Sequence, residues 1–243
     1  MVSDRMAAVL ALLDGDGARQ RSAGLSPSAA AQAADALGVD GICAGLGTGP
    51  SGMVAAWGRE TISAALEDLQ FTLGQGPGLD AAAAGVPVLV SDLADAAARW
   101  PQFVPAAATL AVRALFALPL RIGAISVGTL LAHRAAPGPL AGGAFADAVA
   151  LADAVTLFLL HQQSAATNHT ESGAGGPQPG WAPPATYRGE VHQATGMISV
   201  QLGVSLAEAL VRLRAYAYAE GRLIAEVAAD VVARRLRFED HNL

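Results

Sequence analysis

The sequence predicts an α+β domain, with an antiparallel sheet flanked by helices, followed by an all-α bundle of three helices. Three observations carry that expectation. Residues 1–163 alternate short strand-like runs with helical stretches. Residues 164–184 read SAATNHTESGAGGPQPGWAPP, a Gly- and Pro-rich composition with almost no apolar periodicity, which is that of a flexible tether. Residues 185–243 carry three apolar stripes at helical spacing, set apart by glycines.

The elements are read in chain order. Met6 to Leu13 reads as an amphipathic helix; it is too short for a membrane span and, following Asp4 and Arg5, does not read as a signal peptide. Ser28 to Leu37 is a helix that Gly38 ends. Asp40–Thr48 and Ser51–Trp57 form a strand pair across a Gly-Pro turn. Glu60 to Phe71 has helical spacing, with Ile62, Leu66 and Leu69 on one face. Gly76-Pro77-Gly78 reads as a turn, Val86 to Val90 as a short strand, and Asp92 as a cap on the segment after that strand. Phe103 to Leu110 is helical, and Arg113–Leu120 and Ala124–Ala132 are two further strands. A long helix, Ala144 to Gln162, closes the domain.

Behind the tether, Thr186 is the expected cap of a first helix with the stripe Val191, Ala194, Ile198 and Leu202, ended by Gly203. Ser205-Leu206-Ala207-Glu208 has the form of a capping box, in which a hydroxyl and a carboxylate satisfy exposed N–H groups reciprocally. Leu206, Ala209, Leu210, Leu213 and Ala217 supply the second stripe, and Gly221 ends it. Ile224, Val227, Ala228, Val231 and Leu236 mark the third helix. Each of three such short helices needs the others to bury its stripe.

Composition narrows the function classes. Hydrophobic residues make up 53% of the 243, so the chain can bury a core and is not globally disordered. The single cysteine, Cys43, excludes an internal disulfide and a multi-cysteine zinc site, and fits a reducing cytoplasm. It reads as a small core residue in an apolar strand, and His133 as an exposed residue near a strand end. No nucleophile–base pair stands at recognisable spacing, and the Gly-rich segments lack the lysine of a phosphate-binding loop, so neither catalysis nor a cofactor or metal is expected. All 15 basic residues are arginine. The net charge of -6 resides in the front part, whereas Arg188 to Phe238 holds seven arginines against five acidic residues. That back half permits a nucleic-acid partner without demanding one.

Gly74-Gln75-Gly76-Pro77-Gly78-Leu79-Asp80-Ala81, then Pro87-Val88-Leu89-Val90, Asp92-Leu93, Trp100-Pro101, Ala117-Leu118-Pro119-Leu120 and Gly128-Thr129-Leu130 resemble, in this order, the GAF sensory domains of actinobacterial regulators. The resemblance spans about Ser26 to Gln162 and implies a GAF-like domain that can hold a small molecule over its sheet. Gly78 stands where related sequences commonly show Cys, which excludes thiol chemistry there. Some family members reduce methionine sulfoxide with several cysteines, and one cysteine rules out a disulfide-based version within a single chain.

Gln193-Ala194-Thr195-Gly196-Met197-Ile198, Leu202-Gly203-Val204-Ser205, Glu208-Ala209, Leu213-Arg214, Ala217, Val227-Ala228 and Val231-Val232 resemble the ANTAR family across nearly all of the back domain. This resemblance implies an RNA-binding module that recognises paired hairpins with hexanucleotide loops and favours an antiterminator over a terminator. The division is then a GAF-like domain over 1–163, a linker over 164–184 and an ANTAR-like three-helix domain over 185–243. His192, Thr195, Gly196 and Ser199 are expected on the face of the first helix away from its stripe, with Gly196 leaving room for RNA to approach. Arg212, Arg214 and Arg222 are the candidate phosphate contacts, and Tyr216 and Tyr218 the candidate stacking rings, though both cannot face one side. Thr195 stands where many members carry Lys, which removes one phosphate-attracting charge. Structured RNA, an unidentified small molecule for the front domain and a second copy of the chain are the expected partners, in the cytoplasm and without a membrane. Two alternatives remain beside RNA binding: a protein-interaction module and a DNA-binding helix-turn-helix.

Overall fold

In the computed structural model the described residues are 2–19, 27–47, 54–58, 61–171 and 185–239. The chain opens with α1 (Asp4–Arg19) and α2 (Pro27–Leu37), followed by β1 (Gly41–Leu46) and β2 (Val54–Trp57). Helices α3 (Thr61–Leu73) and α4 (Pro77–Ala84) lead into β3 (Val88–Val90) and a 3-10 turn at Leu93–Ala96. Then come α5 (Phe103–Thr109), β4 (Ala114–Ile122), β5 (Ile125–Arg134) and α6 (Ala144–Glu171). The back domain is α7 (Ala185–Leu202), α8 (Leu206–Ala219) and α9 (Ile224–Val232).

The strands form one antiparallel sheet in the order β2-β1-β5-β4-β3. Because side chains alternate along a strand, each central strand feeds two cores. Ile42, Phe116, Leu118, Leu130 and Ala132 point to one face, where α1, α2 and α6 cover them with Met6, Val9, Leu13, Leu37, Leu151 and Val155. Cys43, Leu115, Ala117 and Leu131 point to the other, against Leu66, Leu93, Trp100 and Phe103. The α+β expectation and the buried Cys43 therefore agree with the structure. Pro119 can sit in a paired strand because β3 reaches only as far as Ala117, so β4 has a free edge beyond it.

Several local readings change. Gly76-Pro77-Gly78 is the start of helix α4, with Pro77 in its first turn, where the missing N–H costs nothing. β3 begins at Val88, and Val86 is exposed. Helix α3 buries Ser63, Glu67 and Gln70 beside Leu66 and leaves Ile62 exposed, so its inward face is partly polar. His133 is buried at 2% exposure, because β5 turns it toward α3, where its Nε2 lies 3.1 Å from Ser63 Oγ. Helix α6 runs on through Glu171 into the segment read as tether, where Ala165 and Ala166 have high helix propensity. α7 starts at Ala185, ahead of the expected cap Thr186. The Gly-Pro turn after β1 and the tether beyond 171, with Trp181, lie outside the described residues. Asp92 caps as expected: its carboxylate accepts the Ala94 N–H, and Arg113 pairs with it and holds its pKa below the usual aspartate range.

Candidate nucleic-acid interface

Three helices with one buried stripe each make the back domain. Val191, Ala194 and Ile198 of α7, Ala209, Leu210, Leu213 and Ala217 of α8, and Ile224, Val227, Ala228 and Val231 of α9 form one cluster. Gly203 and Gly221 both take the left-handed conformation that stops a helix. The Ser205 hydroxyl accepts the Glu208 N–H at 3.2 Å, but the capping box is half made: the Glu208 carboxylate turns to Arg212 Nη2 at 2.8 Å. Leu206, expected in the second stripe, is exposed because it stands on the outer side of the first turn.

The sequence-predicted site residues separate into three groups. On α7, His192 is exposed and Gly196 half-buried, and a Cβ built on Gly196 meets nothing within 4 Å. Thr195 is buried at 6% exposure, its hydroxyl donating to the Val191 carbonyl at 2.7 Å. It therefore faces inward, opposite to the expectation, because it directly follows the stripe residue Ala194 around the helix. Ser199 is half-buried and donates to the Val204 carbonyl at 2.6 Å, so it closes the α7 terminus. The arginines form the second group, and each has a partner within the chain. Arg212 pairs with Glu208, and Arg222 pairs with Asp230 at 2.7 Å and lies 3.8 Å from Glu226. Arg214 donates from Nε to the Phe71 carbonyl at 2.9 Å, and its guanidinium stands over the Phe71 ring. Third, the tyrosines diverge as expected: Tyr216 packs against Phe238 with ring centroids 5.4 Å apart, while Tyr218 is exposed.

The open surface of α7 is thus the outer arc of His192, Gln193, Gly196 and Val200. Arg234 and Arg237 add exposed charge after α9. Sequence reading passed over these two, although their place just behind the third stripe marks them as solvent-facing. Residues 185–232 match the family model of the ANTAR domain. The back domain is an ANTAR domain. No curated protein matches the sequence. Among solved structures the chain is similar to the GAF domain of a phosphoenolpyruvate-protein phosphotransferase from Coxiella burnetii, at 15% identity over 68% of this chain and 99% of that one, TM-score 0.48. It is also similar to a domain of a two-component sensor histidine kinase protein from Sinorhizobium meliloti 1021 (15% identity, 60% and 99% covered, TM-score 0.45). A third is free methionine-R-sulfoxide reductase from Neisseria meningitidis in complex with its substrate (19%, 69% and 96%, TM-score 0.45). The architecture of the front domain rests on its own sheet order.

The ANTAR domain touches the front domain through α8 and the end of α3. Phe71 is buried among the ANTAR core residues rather than in the front core. Beside it runs a groove of about 360 Å³ lined by Thr72, Leu73, Gly74 and Gln102 on one side and Val211, Arg214, Ala215 and Tyr218 on the other. Burial lowers the Arg214 pKa from the ordinary arginine value, since desolvation disfavours the charged form. Gly74 has φ +64, and a Cβ there would lie 3.4 Å from Arg214 Nη1, so the chain can turn this close to the guanidinium.

The opposite side of α3 lines the interior of the front domain. Ser63, Glu67 and Gln70, spaced four and three apart, are buried, as are Thr129 and His133 of β5, and Ser63 Oγ meets His133 Nε2. Gln70 Oε1 accepts the Gly78 N–H at 2.6 Å, and its Nε2 is buried without a hydrogen-bond partner among the described residues. A side chain at Gly78 would meet Gln70 Oε1 at 2.9 Å and Leu131 at 3.0 Å. That close approach explains the glycine. No group of three or more His, Cys, Asp or Glu among the described residues could hold a metal ion. No single described helix is long and apolar enough to cross a membrane.

Proposed function

We propose that this chain is an RNA-binding transcription antitermination regulator, in which a GAF-type sensory domain controls an ANTAR domain that grips paired RNA hairpins. It acts in the cytoplasm, as a homodimer, and without catalysis of its own. The observation that carries the reading is the ANTAR domain at 185–232, with Gly196 open to solvent on the outer arc of α7. A loop base or sugar can come within contact of the helix backbone there, in the manner in which single-stranded loops are read. The buried polar set of α3 and β5 supports a small-molecule signal, because a ligand in that interior would find hydrogen-bonding partners beside the sheet.

One observation favours a rival. Arg212, Arg214 and Arg222 are each engaged within the chain, which suits a module that binds protein instead. Titration of the full chain with a two-hairpin RNA carrying hexanucleotide loops, at several salt concentrations, separates the two. RNA binding predicts an affinity that falls steeply with salt, with about one unit of log–log slope per phosphate neutralised. No binding at low salt would sink the RNA reading. Competition by duplex DNA tests the helix-turn-helix alternative; DNA that displaces the hairpin RNA at equal concentration overturns the preference for RNA.

A further inference from the structure

Arg214 is the most deeply engaged of the candidate phosphate contacts, and its partner comes from the other domain. Its Nε meets the Phe71 carbonyl and its guanidinium lies over the Phe71 ring. No carboxylate pairs with it among the described residues, in contrast to Arg212 and Arg222. A neutral carbonyl is a weaker partner for a guanidinium than an anion is, because charge-assisted bonds are shorter and stronger. This half-buried cation is thus held by one carbonyl and one aromatic ring, partners that a phosphate could replace.

We propose that the α3–α8 contact is an autoinhibitory latch: the end of α3 holds Arg214 and covers the groove side of α8, so that docking on the front domain and gripping RNA with this face exclude each other. The inference rests on the reading of the back domain as RNA-binding. Two features make the contact more than two surfaces touching. Phe71 completes the ANTAR core cluster, so undocking exposes apolar surface on both sides. Gly74 lets the chain turn sharply past the guanidinium at a φ that other residues resist. The same helix connects latch and interior: α3 presents Ser63, Glu67 and Gln70 to the sheet and ends at Phe71 and Thr72 under α8. A ligand that shifts α3 against β5 would move the Phe71 carbonyl away from Arg214. Coupling of two sites through one packed element in this way is reciprocal, so RNA binding would also loosen the front domain's hold.

The test uses the full chain and changes only front-domain residues of the groove. Leu73→Arg sets a second guanidinium opposite Arg214 and opens the latch. Gln102→Glu supplies a carboxylate across the groove and closes it. Gln32→Arg, exposed on α2 over the opposite face of the sheet, controls for added charge. Affinity for the two-hairpin RNA and small-angle scattering are measured together for each protein. The latch predicts that Leu73→Arg tightens RNA binding about fivefold or more, the lower end of ordinary site–site coupling, and enlarges the particle. It predicts that Gln102→Glu weakens binding by a similar factor without enlargement, and that Gln32→Arg changes neither by as much. A Leu73→Arg protein that extends but binds RNA no better than Gln32→Arg overturns the latch while leaving RNA binding intact. A wild-type particle already extended before RNA is added also overturns it. If no variant binds RNA at low salt, the functional reading itself falls, and the latch with it.

Discussion

Gly196 and Arg234 show how much a single backbone position decides. A Cβ on Gly196 would meet nothing within 4 Å, so the glycine is not there to let helices pack closely. Glycine in a helix interior costs about 1 kcal/mol relative to alanine. Gly196→Ala should therefore raise stability by nearly that amount, read as a higher melting temperature, while weakening hairpin RNA binding. Unchanged affinity would mean that RNA does not approach there. Arg234 presents the opposite case. It adopts φ +59 just past α9, where glycine is the ordinary choice, and an L-residue in that region costs roughly 1–2 kcal/mol. Arg234→Gly should stabilise the back domain by about 1 kcal/mol in urea unfolding, and, if Arg234 meets phosphate, should flatten the salt dependence of RNA binding by about one unit. Stabilisation with no change in salt slope would assign the arginine to solvent.

At the scale of elements, legibility followed periodicity. The apolar stripes of the ANTAR helices could be read because apolar residues repeat with the helical period, and β4 and β5 because they are short, nearly continuous apolar runs that bury both faces. The inward face of α3 was missed for the converse reason. Ser63, Glu67 and Gln70 repeat at helical spacing, but polar residues at that spacing ordinarily mark a solvated face, and only the position of β5 reverses the inference. Thr195 was misplaced by the same rule, since a threonine that returns its hydroxyl to the carbonyl one turn back can be buried like an apolar residue. Nothing in the local sequence pairs Asp230 with Arg222, either. Their bond ties the start of α9 to its last turn, and Arg235 adds to it. Arg222 first and Arg235 second hold the Asp230 carboxyl below the ordinary value of 3.8. A depressed folded pKa contributes stability that is present above the unfolded pKa and is lost as pH falls through the folded one. Asp230→Asn should thus flatten the fall in melting temperature as pH drops below the ordinary aspartate range, where the wild-type carboxylate takes up its proton. Parallel curves for the two proteins would show that the pair does not form in solution.

For the whole molecule, the question is whether the two domains unfold as one unit. The contact between α3 and the back helices was not legible in the sequence, because Phe71 looks like an ordinary apolar residue at the end of a front-domain helix. In the structure Phe71 is buried with the ANTAR cluster and not with either core of the front sheet. A buried Phe→Ala change costs about 3–5 kcal/mol when the site cannot collapse. If that burial is shared between domains, Phe71→Ala should destabilise the back helices more than the front sheet. Amide hydrogen exchange resolves this by location: β4 and β5, whose cores lack Phe71, should keep their protection, while α7, α8 and α9 should exchange faster by a factor that reflects most of that cost. Equal acceleration in both domains would mean that they open as one cooperative unit. No acceleration in α7 to α9 would mean that the ANTAR bundle is stable without the Phe71 ring.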